Sequence, residues 1–147
     1  MAQWKLDDIA GDFCPMGKHL VRLDGDILCI CVRGVIELSE MICITVLARE
    51  LYERHGYALI LCDATDAKSP TMETRRYQHE QHKAQVFPSH SAVYGASTLV
   101  RSIVVLAQRA TELVTGKQTP ASFHKTEAEA RAQLALQRSR LSPKRPS

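Results

Sequence analysis

Between Ile27 and Cys62 the chain carries two short apolar runs with an amphipathic segment between them, and this pattern constrains the fold more than any other feature. In the first run, Ile27-Leu28-Cys29-Ile30-Cys31-Val32-Arg33, both alternating sets are apolar, Cys29 and Cys31 on one face and Leu28, Ile30 and Val32 on the other. A strand of that kind is covered on both faces. From Leu38 to His55, the residues Met41, Ile44, Leu47, Ala48, Leu51 and Tyr52 recur at spacings of three and four, and Gly56 supplies a stop, as expected of a helix with one buried face. Ala58-Leu59-Ile60-Leu61-Cys62 then gives a second buried run. Strand, helix, strand predicts a right-handed crossover in a parallel sheet.

The flanking segments extend this core. His19 to Asp24 is a β-rich run separated from the next by Gly25 and Asp26, a hairpin signal. Ser69 and Pro70 suit the N-cap and first turn of a helix over residues 70–85, ended by Pro88 and polar nearly all round, hence exposed. Ser91 to Tyr94 reads as a strand. Gly95-Ala96-Ser97-Thr98 turns from it into an apolar helix over residues 98–115, with Leu99, Ile103, Leu106, Ala110 and Leu113 as its stripe and Gly116 closing it. Ala121 to His124 suits an edge strand, and Thr126 and Glu129 match a capping box for a last helix to Gln137.

The predicted fold is therefore α/β, a mixed sheet of four to five strands with about four helices in the order β-β-α-β-α-β-α-β-α. At 147 residues, 45% of them hydrophobic, the chain can bury one sizeable core as a single domain. That domain is expected over residues 15–137, after an N-terminal extension (1–14) and before a basic disordered tail (138–147).

Charge is local. Five of the 19 basic residues, Arg131, Arg138, Arg140, Lys144 and Arg145, fall in residues 131–147, which hold no acid, so the rest has 14 bases against 16 acids. The folded part lacks the positive excess of a nucleic-acid binder. No apolar run approaches the ~20 residues that span a bilayer, so no membrane insertion and a cytoplasmic location are expected. Cys14, Cys29, Cys31, Cys43 and Cys62 have no Cys-x-x-Cys spacing and read as buried reduced thiols.

Candidate chemistry is sparse, and no catalytic residue, cofactor or metal site is assigned. His79 and His82, three apart on a helix, form half a metal site at best, and Glu80 between them does not complete His-Glu-x-x-His. The predicted strand and helix interiors hold Cys29, Cys31, Cys43 and Cys62 away from nucleophilic use, and Cys14, before Pro15 and outside those elements, is the one thiol open to reaction, with no activating group near it in the sequence. At the turn into the third helix, Ser97 and Thr98 with Arg101 one turn on form a weak anion site, for which an ordinary cap is the simpler account.

The order of elements, with Ala58 to Asp63, Ser91 to Gly95 and Phe123-His124-Lys125-Thr126-Glu127-Ala128-Glu129-Ala130, resembles the SpoIIAA-like branch of the STAS superfamily over residues 15–136. The resemblance implies a mixed sheet with packed helices and a non-enzymatic role as a protein-binding switch; the better-known relatives antagonise anti-sigma factors. In those relatives a serine of an Asp-Ser-Ser-Gly motif is phosphorylated, which disrupts docking by adding charge. Here the corresponding stretch, Asp63 to Thr71, lacks that motif, Met72 falls near the acceptor position, and Ser69 and Thr71 are the nearest hydroxyls.

Two functions follow. The first is a non-enzymatic regulatory or interaction domain, of the kind used in bacterial signalling, contacting a protein partner through Thr65, Ser69, Thr71, Arg75, Arg76 and Tyr77, with a homodimer as a separate expectation. The second is a carrier in which the sheet and the helices over residues 38–55 and 98–115 enclose a lipid or other small apolar ligand.

Overall fold

The doubly apolar run becomes the third strand of a six-stranded sheet. The computed structural model describes residues 4–84, 87–116 and 120–142. The strands are β1 (Cys14–Met16), β2 (His19–Asp24), β3 (Ile27–Gly34), β4 (Ala58–Ala67), β5 (Ser89–Tyr94) and β6 (Ala121–His124). They lie side by side in chain order. The pairs β1–β2 and β2–β3 are antiparallel, and β3–β4, β4–β5 and β5–β6 are parallel. The helices are α1 (Leu38–His55), α2 (Met72–Ala84), α3 (Thr98–Thr115) and α4 (Glu127–Leu141).

The predicted α/β class stands, with two more strand features than the sequence pattern gave. β1 is three residues long and holds Pro15, which an edge strand tolerates because its N–H side needs no partner. β4 runs on to Ala67, through residues expected to be loop, because β3 shifts register between Cys31 and Arg33 and brings Arg33 and Gly34 opposite Asp66 and Ala67.

Each face of β3 has its own core. On one, Leu28, Ile30 and Val32 pack with Met41, Ile44, Leu47, Ala48 and Leu51 of α1. On the other, Ile27 and Cys29 join Leu59, Leu61, Ala92 and α4's Ala130 and Leu134. Cys29 is buried while Cys14, Cys31, Cys43 and Cys62 are half-buried, and all five are free thiols. Leu6 and Ile9, on a short 3-10 turn (Leu6–Ile9), are fully buried in the α1 core, so residues expected to form an extension contribute to the interior.

Polar ties fix the ends of the elements. Gly25, with φ +62°, makes the tight turn between Asp24 and Ile27. Asp26 in that turn accepts two hydrogen bonds from Arg138 at 2.6 and 2.7 Å and one from the Tyr57 hydroxyl at 2.7 Å. Burial pushes the Asp26 carboxyl up, and these donors with the Arg138 charge outweigh it, holding it below the usual carboxylate range. Arg131 reaches Asp24 at 3.1 Å. Arg138 thus belongs to a helix clamped on the hairpin, not to a frayed tail; residues 143–147 lie outside the described residues.

Candidate functional site

The side of the sheet that carries α1 is packed only in part. Against α1 it is closed over most of its area, whereas toward α2 and α3 it opens into a cavity of about 420 Å³. Its floor is one face of four strands, read at every second residue: Ile30 and Val32, then Ile60, Cys62 and Ala64, then Ser91 and Val93, then Ala121 and Phe123. The wall is Ile44 and Ala48 of α1, and the roof is Val100, Val104 and Ala107 of α3. Small side chains face each other across it, Ser91 and Ala121 below and Ala107 above. That shortage of volume leaves the space open.

A few polar contacts fix the two ends of α3. Gly95, at φ +77°, lets the chain turn against Thr65: an added Cβ would lie 2.5 Å from the Thr65 hydroxyl. The Gly95 N–H donates to the His124 carbonyl at 3.3 Å. Ser97 then caps the helix by accepting from the Val100 N–H at 3.2 Å, and Gly116 ends it in the left-handed conformation. One turn from the other end, Thr111 meets the His79 ring at 2.9 Å and couples α3 to α2.

α3 does not present the face the sequence suggested. None of its residues is buried. The expected core positions Leu99, Leu106 and Leu113 are 69%, 66% and 87% exposed, and Val100, Val104 and Ala107 take the inner face. The helix is apolar on both sides, and periodicity alone selects the stripe with the larger residues.

Of the polar candidates for a partner surface or anion site, Arg75 lines this chamber, and the others fall outside it. Thr65 is exposed, with its N–H and hydroxyl bound to one Asp63 oxygen at 3.0 and 2.7 Å. α2 starts at Met72 and is capped by Thr71, whose hydroxyl accepts from the Thr74 N–H at 3.1 Å. This corrects the assignment of the cap to Ser69: Thr71 sits three residues before the N–H it accepts from, as capping geometry requires. Thr71, Arg75 and Arg76 are exposed, Ser69 is half-buried and Tyr77 packs against the α1 core. Of the proposed anion site, Ser97 is occupied as a cap and Arg101 lies 5.7 Å over the Phe123 ring, while Thr98 is exposed. The side chain of His82 lies outside what the structure describes.

Two other groups of reactive residues are engaged among themselves, except that the buried Arg22 Nε in the second has no hydrogen-bond partner among the described residues. His19, fully buried, has its Nε2 3.0 Å from Glu40, and its Nδ1 accepts from the Arg33 N–H at 2.9 Å. That pattern uses both ring nitrogens and ties β2, β3 and α1 together. It escapes sequence reading because its members are far apart along the chain. On the α4 face a smaller hollow of about 290 Å³ is lined by Arg22, Cys31, Asp63, Tyr94, Glu127 and Arg131. There the Cys31 thiol lies 3.9 Å from Asp63, the Tyr94 hydroxyl donates to Glu127 at 2.9 Å, and Arg131 meets the same carboxylate at 3.1 Å. In the main cavity, burial pushes the Cys62 thiol up to about 12, with Asp63 and Cys31 adding to the shift.

The class of protein so defined is a mixed α/β domain with an apolar chamber between its sheet and three helices. Among solved structures it is similar to one from Shewanella loihica PV-4, described as an uncharacterized protein from the DUF3478 family with a SpoIIAA-like fold, at 16% identity over 78% of this chain and 89% of that one, with a TM-score of 0.49. No protein-family model matches the sequence, and no curated protein matches it. Among the described residues no helix is long and apolar enough to cross a membrane.

Proposed function

We propose that this protein is a binding protein for a small apolar ligand, held between the sheet and α3. The observation that carries the reading is the cavity of about 420 Å³, floored by alternate residues of four strands and roofed by α3. Ligand pockets run roughly from 300 to 1,000 Å³ and are mainly apolar with a few polar groups, and Gln78, Gln108 and Thr111 supply such groups here. At ~30 Å³ for each water-sized group, the space holds on the order of 15 non-hydrogen atoms. A packed core of the same composition would have buried the inner face of α3.

Native mass spectrometry of freshly purified chain, together with titration by the neutral fluorophore N-phenyl-1-naphthylamine, tests this. A co-purifying small mass, or saturable dye binding displaced by dodecanol, is expected. A chain that carries no extra mass and binds no dye refutes the reading.

A second reading, docking of a protein partner, draws on the exposed Leu99, Leu106 and Leu113 beside the exposed Met72, Arg75 and Arg76 of α2. Exposed apolar stripes of this kind mark contact surfaces. Charge reversal at Arg75 and Arg76 and Leu106→Ser are expected to weaken whatever association a pulldown or sedimentation detects; association untouched by all of them removes this surface from consideration.

A further inference from the structure

We infer that the occupant of the cavity is an amphipathic anion, an acyl chain or similar apolar body ending in one carboxylate or phosphate, with its acid group at Lys68 and Arg75. The inference rests on the binding-protein reading above and adds the class of ligand. Every charged lining residue is a cation: Arg49, Lys68 and Arg75 line the cavity, and among the described residues no aspartate or glutamate does. The background composition gives no such bias, since outside residues 131–147 acids outnumber bases 16 to 14.

The cations also differ in what they face. Arg22, Arg54, Arg131 and Arg138 each reach a carboxylate within 4 Å. Arg49 lies 5.8 Å over the Phe87 ring. Lys68 and Arg75 are exposed and have no carboxylate partner among the described residues. Lys68 directly follows β4, where its N–H donates to the Gly34 carbonyl at 2.9 Å, and Arg75 lies in the first turn of α2. Both therefore sit outside the carboxyl ends of parallel strands, where open α/β sheets receive the polar parts of ligands. From there the floor runs over Ala64, Cys62 and Ile60 toward Phe87, an apolar track for the rest of the molecule. A neutral apolar ligand would leave two cations idle at the mouth; an anion is attracted by both and supplies the hydrogen-bond acceptor they lack.

The test is competition against N-phenyl-1-naphthylamine on the full chain, with dodecanoate, dodecyl phosphate, dodecanol and dodecylammonium as competitors sharing one tail. Dodecanoate or dodecyl phosphate is expected to displace the dye at about tenfold lower concentration than dodecanol, the scale of one charge-assisted contact. Dodecylammonium is expected to compete least. The better of the two acids identifies the head group. The preference should shrink toward unity at about 0.5 M salt, and the acid-to-alcohol ratio, read within one sample, should shrink likewise in K68Q/R75Q. Equal displacement by acid and alcohol, or a ratio untouched by K68Q/R75Q, overturns the anion while leaving the apolar-ligand reading intact. Failure of the dye and all four competitors to bind overturns both.

Discussion

Replacing Ala107 with phenylalanine separates a chamber built to be occupied from a loosely packed core. The Ala107 methyl lines the roof of the cavity. A benzene-sized ring occupies about 150 Å³, roughly a third of the 420 Å³ available. In a close-packed interior the same change forces neighbours aside and costs about 1–3 kcal/mol. Here the ring enters vacant space in the cavity that Val93, Ala121 and Phe123 also line, and burying part of it stabilises the fold by about 1 kcal/mol. The ligand loses room for about six atoms. At ~0.3 kcal/mol per atom that is about 2 kcal/mol, or roughly 25-fold in affinity. Thermal unfolding and dye titration of A107F, side by side with the parent chain, read both quantities. A lowered unfolding temperature with unchanged dye affinity refutes the argument, because it would mean that α3 packs on the sheet in solution and the ligand, if any, lies elsewhere.

Three further outcomes are expected. Arg138→Ala removes both hydrogen bonds to Asp26 from a half-exposed guanidinium, and after allowance for solvent screening it should destabilise by about 1–2 kcal/mol in urea unfolding; an unchanged midpoint would mean the clamp is decorative. His90 is held below its ordinary 6.5 by burial and by His124, so the unfolded chain takes up the proton first; stability should be level above pH 6.5 and fall as pH drops below it, and His90→Gln should flatten that fall in denaturation midpoints. With the Cys62 thiol near 12, its thiolate fraction at neutral pH is about three orders of magnitude below that of a free cysteine, so peptide mapping after brief iodoacetamide treatment should find Cys62 unlabelled; prompt labelling contradicts the raised thiol.

The strands and helices were legible where sequence period and burial agree. β3 and β4 follow from doubly apolar runs that only a strand covered on both faces explains, α1 from a three-four spacing that leaves one face to bury, and α4 from its Thr126 cap. α3 shows where that reasoning stops. It has apolar residues on opposite sides, and which of them turns inward is fixed by tertiary packing that the period does not encode. A space enclosed by the sheet and the helices over residues 38–55 and 98–115 was one of the two readings of the sequence; its lining was not legible, because that depends on small residues from β5, β6 and α3 arriving around one cavity. Thr71 took the cap from Ser69 because β4 continued to Ala67 and displaced the helix start. Leu6 and Ile9 were too short a pattern to register beside Asp7 and Asp8.

The Asp26 clamp has a consequence for how the protein is made. The hairpin between β2 and β3 is local and can pair early, yet the guanidinium that holds its turn is contributed from 112 residues further along the chain, and Asp24 waits on Arg131 from 107 residues away. Contacts of such long sequence separation form late. On the ribosome the nascent hairpin must therefore persist without its lock until α4 has emerged, and during that interval the Leu59 and Leu61 side of the sheet stands bare to whatever else is in the cell.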